Sequence, residues 1–263
     1  MIDVNTVSPS GSSDLLSLVG QSTKRRGDFL SQAEDLAKRV KTPEKLEKKM
    51  LVESRILVKA LRDKQIKWNE YARSLMQKTL ISALCGVYLG SKDNNPKKKM
   101  GTAWPIIIGD MLPPLVKFLA ETNYRIETGK LLLGDTTVDF ADPVESEDYD
   151  PGEEGEGWDE IEWDDNGSDA NEKDKKGKTW IGLYGRVNRY MVTPVYSYVT
   201  LGEFLTNQDL GYKEMRRVAV KDKKTCDDCK NFASLGWQPI GALPMPGRKC
   251  TCYDRCRCTI EYR

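Results

Sequence analysis

Histidine is absent from the 263 residues of the chain. Because histidine is the commonest general base in enzymes and a frequent zinc ligand, its absence removes the usual proton-transfer group and any metal site of mixed histidine and cysteine ligands. The sequence also lacks the P-loop, the G-x-S-x-G elbow and the H-E-x-x-H motif, which mark three large classes of enzyme. These absences predict that the protein is not an enzyme.

Long apolar runs are also missing. No stretch of 18 consecutive apolar residues occurs, and residues 1–20 lack the apolar segment of a signal peptide. A helix that crosses a membrane needs about 20 predominantly apolar residues. The sequence therefore predicts no membrane-spanning helix, no targeting signal and no membrane partner.

Basic residues are absent between Asp139 and Glu172, where 16 acidic residues occur. The rest of the chain carries 41 basic and 24 acidic residues, so the net charge of +1 conceals a strong asymmetry. A segment with so few apolar side chains cannot bury a core of its own. Residues 139–178 are therefore predicted to form an acidic flexible linker between two basic bodies.

Residues 1–138 are predicted to form a helical domain. Thr42 and Pro43 have the pattern of a helix N-cap and first helical position. Steps of three, four and seven residues place one set of side chains on a single helix face, which is typical of a core stripe: Leu57, Leu61, Trp68, Ala72, Leu75, Thr79 and Ala83. Pro105 and Pro113–Pro114 predict breaks, followed by a helix from Leu115 to Tyr124.

A basic run at Lys92–Lys99, interrupted by Pro96, is predicted to form a loop. Two interpretations are open: the lysines contact phosphate or an acidic protein surface, or they are simply solvated.

Residues 179–211 are predicted to form a second helical segment, in which Trp180, Tyr184, Val187, Met191, Val195 and Tyr198 share a face and Pro194 produces a kink. Residues 212–263 follow as a cysteine-rich module. Its strand-like alternation at Glu214–Val220 and again at Cys258–Tyr262 predicts that two strands pair as a small sheet. The predicted fold class is mainly α, with a small β-hairpin module at the C-terminus, and α+β overall.

Six of the seven cysteines lie in the last 38 residues, and only Cys85 lies elsewhere. Cys226 and Cys229 form a C-x-x-C pair, and a second cluster follows about twenty residues later, the spacing of four-cysteine zinc sites. The predicted ligands of a structural zinc ion are Cys226, Cys229, Cys252 and Cys256, with Cys250 or Cys258 as substitutes. A module of this size buries little core by itself, so a metal would stabilise its fold.

Two other states of these cysteines stay open. Six thiols exceed the four ligands of one zinc ion, and they can also form three disulfides in an oxidising medium. Alternatively, they are reduced side chains packed in a small β module. A redox-active C-x-x-C is not favoured, because no βαβ pattern surrounds it.

Five short motifs of the last 52 residues resemble the C-terminal region of tailed-phage head morphogenesis proteins, the Mu F-like minor head protein family. They are Glu214-Met-Arg-Arg-Val218, Thr225-Cys-x-x-Cys229, Leu235-Gly-Trp237, Leu243-Pro-x-Pro-Gly247 and Cys256-Arg-Cys258-x-Ile260-x-Tyr262. The resemblance covers about a fifth of the chain, residues 212–263. Residues 1–138 and the acidic linker match no pattern of that family.

The resemblance implies a non-enzymatic structural protein of the virion, assembled in the host cytoplasm. Such a protein would act near the portal or head–tail connector in capsid assembly, DNA packaging or delivery. Its partners would be other phage structural proteins, namely the portal, the major capsid protein or the connector, with possible contact to DNA. It would be present in several copies in an oligomeric assembly.

A zinc-dependent nucleic-acid-binding regulator is the alternative function. Basic residues that can contact phosphate flank the cysteines: Lys223, Lys224, Arg248, Lys249, Arg255 and Arg257. The sequence predicts no recognition helix after the C-x-x-C pair, which weighs against this alternative.

Overall fold

The computed structural model describes residues 25–91, 95–131, 133–134, 172–192, 194–223, 225–246, 249–251 and 256–263. These residues are mostly helical, with a small antiparallel sheet near the C-terminus, which confirms the predicted fold class. Most of the acidic linker lies outside the described residues. Its last residues begin a helix at Glu172.

Six helices form what we call the helical body: α1 (Arg26–Val40), α2 (Pro43–Arg62), α3 (Trp68–Gly90), α4 (Pro96–Glu127), α5 (Glu172–Met191) and α6 (Val195–Asp209). The C-terminal module, residues 212–263, contains β1 (Glu214–Val218), α7 (Asp227–Ser234), β2 (Gln238–Pro239) and β3 (Thr259–Tyr262).

The start of α2 is the one that the sequence predicts. The Thr42 side chain accepts a hydrogen bond from the Lys45 backbone N–H at 3.3 Å, and Pro43 occupies the first helical position. This cap satisfies a backbone donor that has no partner within the helix.

The predicted core stripe from Leu57 to Ala83 is divided between two helices. The chain turns between Arg62 and Trp68, and Lys64 adopts a left-handed conformation there. Both halves nevertheless face the same core, and α3 provides many of its fully buried side chains, including Leu75, Met76 and Leu80. Periodicity thus identified the buried face correctly but did not locate the turn.

Helix α4 runs without interruption from Pro96 to Glu127, although the prolines within it predicted breaks. Proline removes one helical hydrogen bond and leaves the carbonyl four residues earlier without its usual donor. The carbonyl of Gly101, four residues before Pro105, instead accepts a hydrogen bond from the Arg26 guanidinium at 2.9 Å. The predicted separate helix at Leu115–Tyr124 is therefore only the second half of α4.

By length and composition, α4 is apolar enough to cross a membrane, which differs from the expectation from the sequence. Half of its most apolar window is buried inside the helical body. Core helices of soluble proteins show the same property, because packing against neighbours needs the same apolar side chains.

The basic run at the start of α4 contacts acidic groups of the same chain. Lys97 pairs with Glu34 of α1 at 2.9 Å, and Lys98 lies 3.5 Å from Asp209 of α6. Lys99 is almost fully buried, pairs with Asp209 and donates to the Leu205 carbonyl at 2.7 Å. This last lysine joins the start of α4 to the end of α6 and is shielded from solvent.

Helices α5 and α6 share one hydrophobic core with α1–α4. Arg186 of α5 pairs with Glu121 of α4 at 2.6 Å, and Ser82 of α3 donates to the Met191 carbonyl at 3.0 Å. Helix α5 ends at Met191, and Pro194 is the N-cap of α6. The predicted single helix with a kink at Pro194 is therefore two separate helices. The body is thus built from segments on both sides of the acidic linker.

A close crossing in the helical body joins α3 and α6 through Gly90 and Gly202. A Cβ atom on Gly90 would overlap the Val199 carbonyl oxygen, and one on Gly202 would overlap the Val87 carbonyl oxygen. The two backbones therefore approach more closely than any side chain at these positions permits.

The three-stranded sheet has β1 at its centre, paired antiparallel with β2 on one side and β3 on the other. Met215 lies opposite Tyr262, and Arg217 lies opposite Ile260. The predicted pairing of the strand at Glu214–Val218 with the strand near the end of the module is therefore present. Helix α6 contacts the module: Ser197 donates to the Pro246 carbonyl at 3.2 Å, and Phe204 packs against the small core of Met215, Leu243 and Met245.

Candidate metal centre

Strand β1 presents its two faces to different surroundings. Met215 and Arg217 point inward and are buried, whereas Arg216 and Val218 are exposed. Alternation along a strand sends every second side chain to the same face. It therefore places the apolar Met215 and the charged Arg217 side by side on the inner face.

The C-x-x-C pair lies at the start of a helix. Cys226 is the N-cap of α7, and Cys229 is in its first turn. The partial positive charge at a helix N-terminus stabilises a thiolate there. Asp228 next to it accepts a hydrogen bond from the Thr251 backbone N–H at 2.8 Å, which ties α7 to the segment that carries Cys250.

Three thiols converge on one point. The sulfur atoms of Cys229, Cys250 and Cys256 all lie within 4.8 Å of one another, and those of Cys229 and Cys256 are 3.6 Å apart. Ligands of a tetrahedral zinc ion at about 2.3 Å place their sulfurs about 3.8 Å apart. A disulfide holds its sulfurs at about 2.05 Å, so the separation of Cys229 and Cys256 fits shared metal ligands better than a disulfide.

The structure brings together only some of the predicted zinc ligands. Cys229 and Cys256 belong to the converging group, and it is Cys250, predicted as a substitute, that completes it. Cys258 is buried in the same cluster, and Cys226 packs against it. Cys252 lies outside the described residues. The set of four thus stays a prediction, with a core of three cysteines that could hold a metal ion.

Arg217 is the residue that sequence reasoning missed. Its Nη2 atom donates toward the sulfurs of Cys256 at 2.9 Å and of Cys229 and Cys250 at 3.5 Å. Its Nη1 atom donates to the Pro244 carbonyl at 3.2 Å, and its guanidinium carbon lies 5.2 Å from the centre of the Phe232 ring. Only 2% of its surface is exposed.

The charge of this buried arginine is stabilised by the thiols around it. Burial alone would lower its pKa, but the electrostatic interaction with Cys256 and hydrogen bonds to Cys258 and Cys256 raise the pKa of Arg217 above its ordinary value. A buried cation needs a partner of opposite charge. The cysteine cluster is the partner that the structure provides.

The sequence did contain a signal for this residue. Met215 and Arg217 are two positions apart in a strand whose inner face is apolar. A charged residue on the buried face of a strand is unusual and requires a partner, because desolvation of an unpaired charge is costly.

Helix α7 begins at the C-x-x-C pair itself, and it bears on the expectation that no recognition helix follows that pair. It is eight residues long, and its first turn is acidic through Asp227 and Asp228. Negative side chains there would repel a phosphate backbone, so α7 does not have the charge of a nucleic-acid recognition helix.

Three arginines of the module are paired within the chain, whereas Lys213, Lys221, Lys223 and Lys249 are exposed. Arg257 contacts Asp222 at 2.7 Å, Arg216 contacts Glu261 at 2.5 Å, and Arg263 contacts Glu214 at 2.6 Å. Arg216 and Arg263 also lie over the Trp237 ring, at 4.8 and 4.5 Å from its centre. These contacts reduce the positive charge available to a nucleic acid.

Cys85 is separate from this site. It is fully buried in α3, and burial raises the pKa of its thiol to about 12. Since the thiolate is the reactive form, Cys85 is an inert core residue.

The chain was compared with protein-family models, with curated proteins and with solved structures, and none of the three comparisons found a match. The resemblance to phage minor head proteins therefore rests on the motifs of residues 212–263 alone and stays a prediction.

Proposed function

We propose that the protein is a non-enzymatic structural component of a tailed-phage head, with a C-terminal module folded around one zinc ion. The convergence of Cys229, Cys250 and Cys256 supports the metal-binding part of the proposal, and the motifs of residues 212–263 support the phage part. Soft thiolate ligands favour zinc over magnesium or calcium, and a chain without histidine can supply only thiolates and carboxylates.

The role of the metal is structural. Cys229 and Cys250 are buried, and Arg217 lies against all three sulfurs, so substrate has little access to these ligands. A catalytic zinc ion keeps an open position for water or substrate. The hydrophobic core of the module is small, with Met215, Leu243 and Met245 buried, which is the situation in which metal binding supplies folding free energy.

The virion role is supported by the arrangement of the motifs that resemble the family. Glu214–Val218 forms β1, and Ile260 and Tyr262 lie in β3 beside it, so motifs far apart in sequence meet around the cysteines. A helical body joined to a metal-stabilised module suits a part that docks on a multi-subunit shell. The proposed partners are the portal, the capsid protein or the connector.

The metal claim is tested by zinc analysis and thiol titration on the full-length protein. We expect about one zinc ion per chain, as in a single four-ligand site. After removal of the metal in denaturant, all seven thiols should react. Absence of zinc together with a single reactive thiol would mean three disulfides and would refute the metal site.

The virion claim needs a separate experiment. We expect the protein to co-sediment with heads when it is produced together with the portal and capsid proteins of the phage that carries its gene. Mass spectrometry of purified particles from that phage should detect it. A protein found only in the soluble fraction and absent from the particles would contradict the virion role and leave the metal claim untouched.

A further inference from the structure

We propose that Arg217 is the charge-compensating residue of the metal centre: it binds the thiolates, not the metal, and sets the affinity of the site. This inference rests on the proposed zinc site. Arg217 would thus be a functional residue contributed by strand β1, whose side chain contacts the cysteine sulfurs.

A zinc site built only from thiolates carries a net negative charge. Zinc with three thiolates has a net charge of −1, and with four it has −2. Two cysteines with two histidines would give a neutral site, but this chain has no histidine. A buried net charge is costly unless an opposite charge lies beside it. One arginine lowers the net negative charge by one unit.

The donor nitrogen of Arg217 lies close to all three converging sulfurs. A single nitrogen atom, Nη2 of Arg217, lies within 3.5 Å of the sulfurs of Cys229, Cys250 and Cys256. Hydrogen bonds to charged acceptors are stronger than neutral ones. The guanidinium of Arg217 thus interacts with all three converging cysteines at once.

Contacts outside the cysteine cluster hold the guanidinium of Arg217 in place. Strand β1 fixes its backbone opposite Ile260, the Pro244 carbonyl accepts from Nη1, and Phe232 lies against its face. Groups that orient metal ligands from outside the coordination shell alter metal affinity about 10–100-fold when they are removed. Arg217 has the position and the rigidity of such a group.

Arg216 offers a matched control on the same strand. It is adjacent in sequence and carries the same side chain, but it points to the opposite face and pairs with the exposed Glu261. Its replacement removes the same charge from the module without removing a contact to the cysteines.

The experiment measures zinc affinity of the full-length protein by competition with a chromophoric chelator. We expect Arg217→Met to weaken zinc binding about 10–100-fold and Arg216→Met to change it less than about threefold. Arg217→Lys keeps the charge but not the fork of donors, so its affinity should lie between those of the wild type and Arg217→Met.

Cobalt(II) substitution supplies a readout that a purely structural role would not move. The thiolate-to-cobalt charge-transfer band depends on the electron density at sulfur, which hydrogen bonds lower. We expect Arg217→Met to shift this band, with the visible bands of a tetrahedral ion kept, and Arg216→Met to leave both unchanged.

The outcomes separate this inference from the proposed function. A wild-type protein without zinc would refute the metal site itself. A wild type that binds zinc, with Arg217→Met equal to it in affinity and cobalt spectrum, would overturn only the role of Arg217. If Arg217→Met does not fold, Arg217→Lys decides. Zinc binding by a folded Arg217→Lys variant then supports charge compensation. Complete loss of zinc binding by that folded variant overturns it.

Discussion

Gly202→Ala is expected to destabilise the helical body by about 3 kcal/mol, at the upper end of the cost of overpacking a core. The new methyl group would overlap the carbonyl oxygen of Val87 and lie 3.0 Å from its carbonyl carbon. These are backbone atoms of α3, so no side chain can rotate away. Helix α6 would have to move off α3, and both helices contribute to the same core.

The measurement is the free energy of unfolding in urea, followed by circular dichroism. Gly185→Ala is the matched control, because Gly185 lies within α5 and an added Cβ there would meet no atom within 4 Å. Alanine is better than glycine in a helix by about 1 kcal/mol, so the control should be neutral or stabilised. Equal effects of the two substitutions would contradict the close crossing of α3 and α6.

Cys229→Ser is expected to remove most of the zinc and to unfold the C-terminal module while the helical body stays folded. Cys229 is fully buried and its sulfur contacts both Cys256 and Arg217, so its loss breaks the metal site and leaves a buried cation with fewer partners. Structural zinc supplies about 10 kcal/mol or more of folding free energy in small zinc domains. The core of this module cannot replace that amount.

Hydrogen exchange of the backbone amides checks this result residue by residue. Protection should be lost in β1 and β3 and retained in α3, whose core packing does not involve the metal. Chelation of the metal from the wild type should give the same pattern. Cys85→Ala is the control: its side chain lies in α3, so the variant should keep its zinc and a protected module. Protected β1 and β3 amides in Cys229→Ser would refute a metal-dependent fold.

Much of the helical body could be predicted from sequence because its signals are local. The cap at Thr42 and Pro43 depends on a few adjacent residues, and the spacing from Leu57 to Ala83 identifies a buried face whatever packs against it. The continuity of α4 could not be predicted in this way. Arg26 of another helix supplies the donor that the Gly101 carbonyl lacks, and that contact exists only after folding.

The candidate metal site was likewise predictable from the sequence only in part. Clustering of cysteines near the C-terminus predicted a thiol-rich site, and Cys229 and Cys256 are part of it. The spacing did not indicate that Cys250 would join them, since the turns between the two cysteine pairs set the distances. Nor did the spacing indicate Arg217, because β1 approaches the cysteines only through the sheet.

The sequence by itself determined the class of this protein: a mainly helical chain without histidine, an acidic segment between two basic parts, and a cysteine-rich end. Those features depend on composition and on periods of a few residues. The tertiary structure alone decided which charges meet. It placed Lys99 beside Asp209 and Arg217 beside three thiols, because burial requires a partner for each charge and the fold chooses that partner from distant parts of the chain.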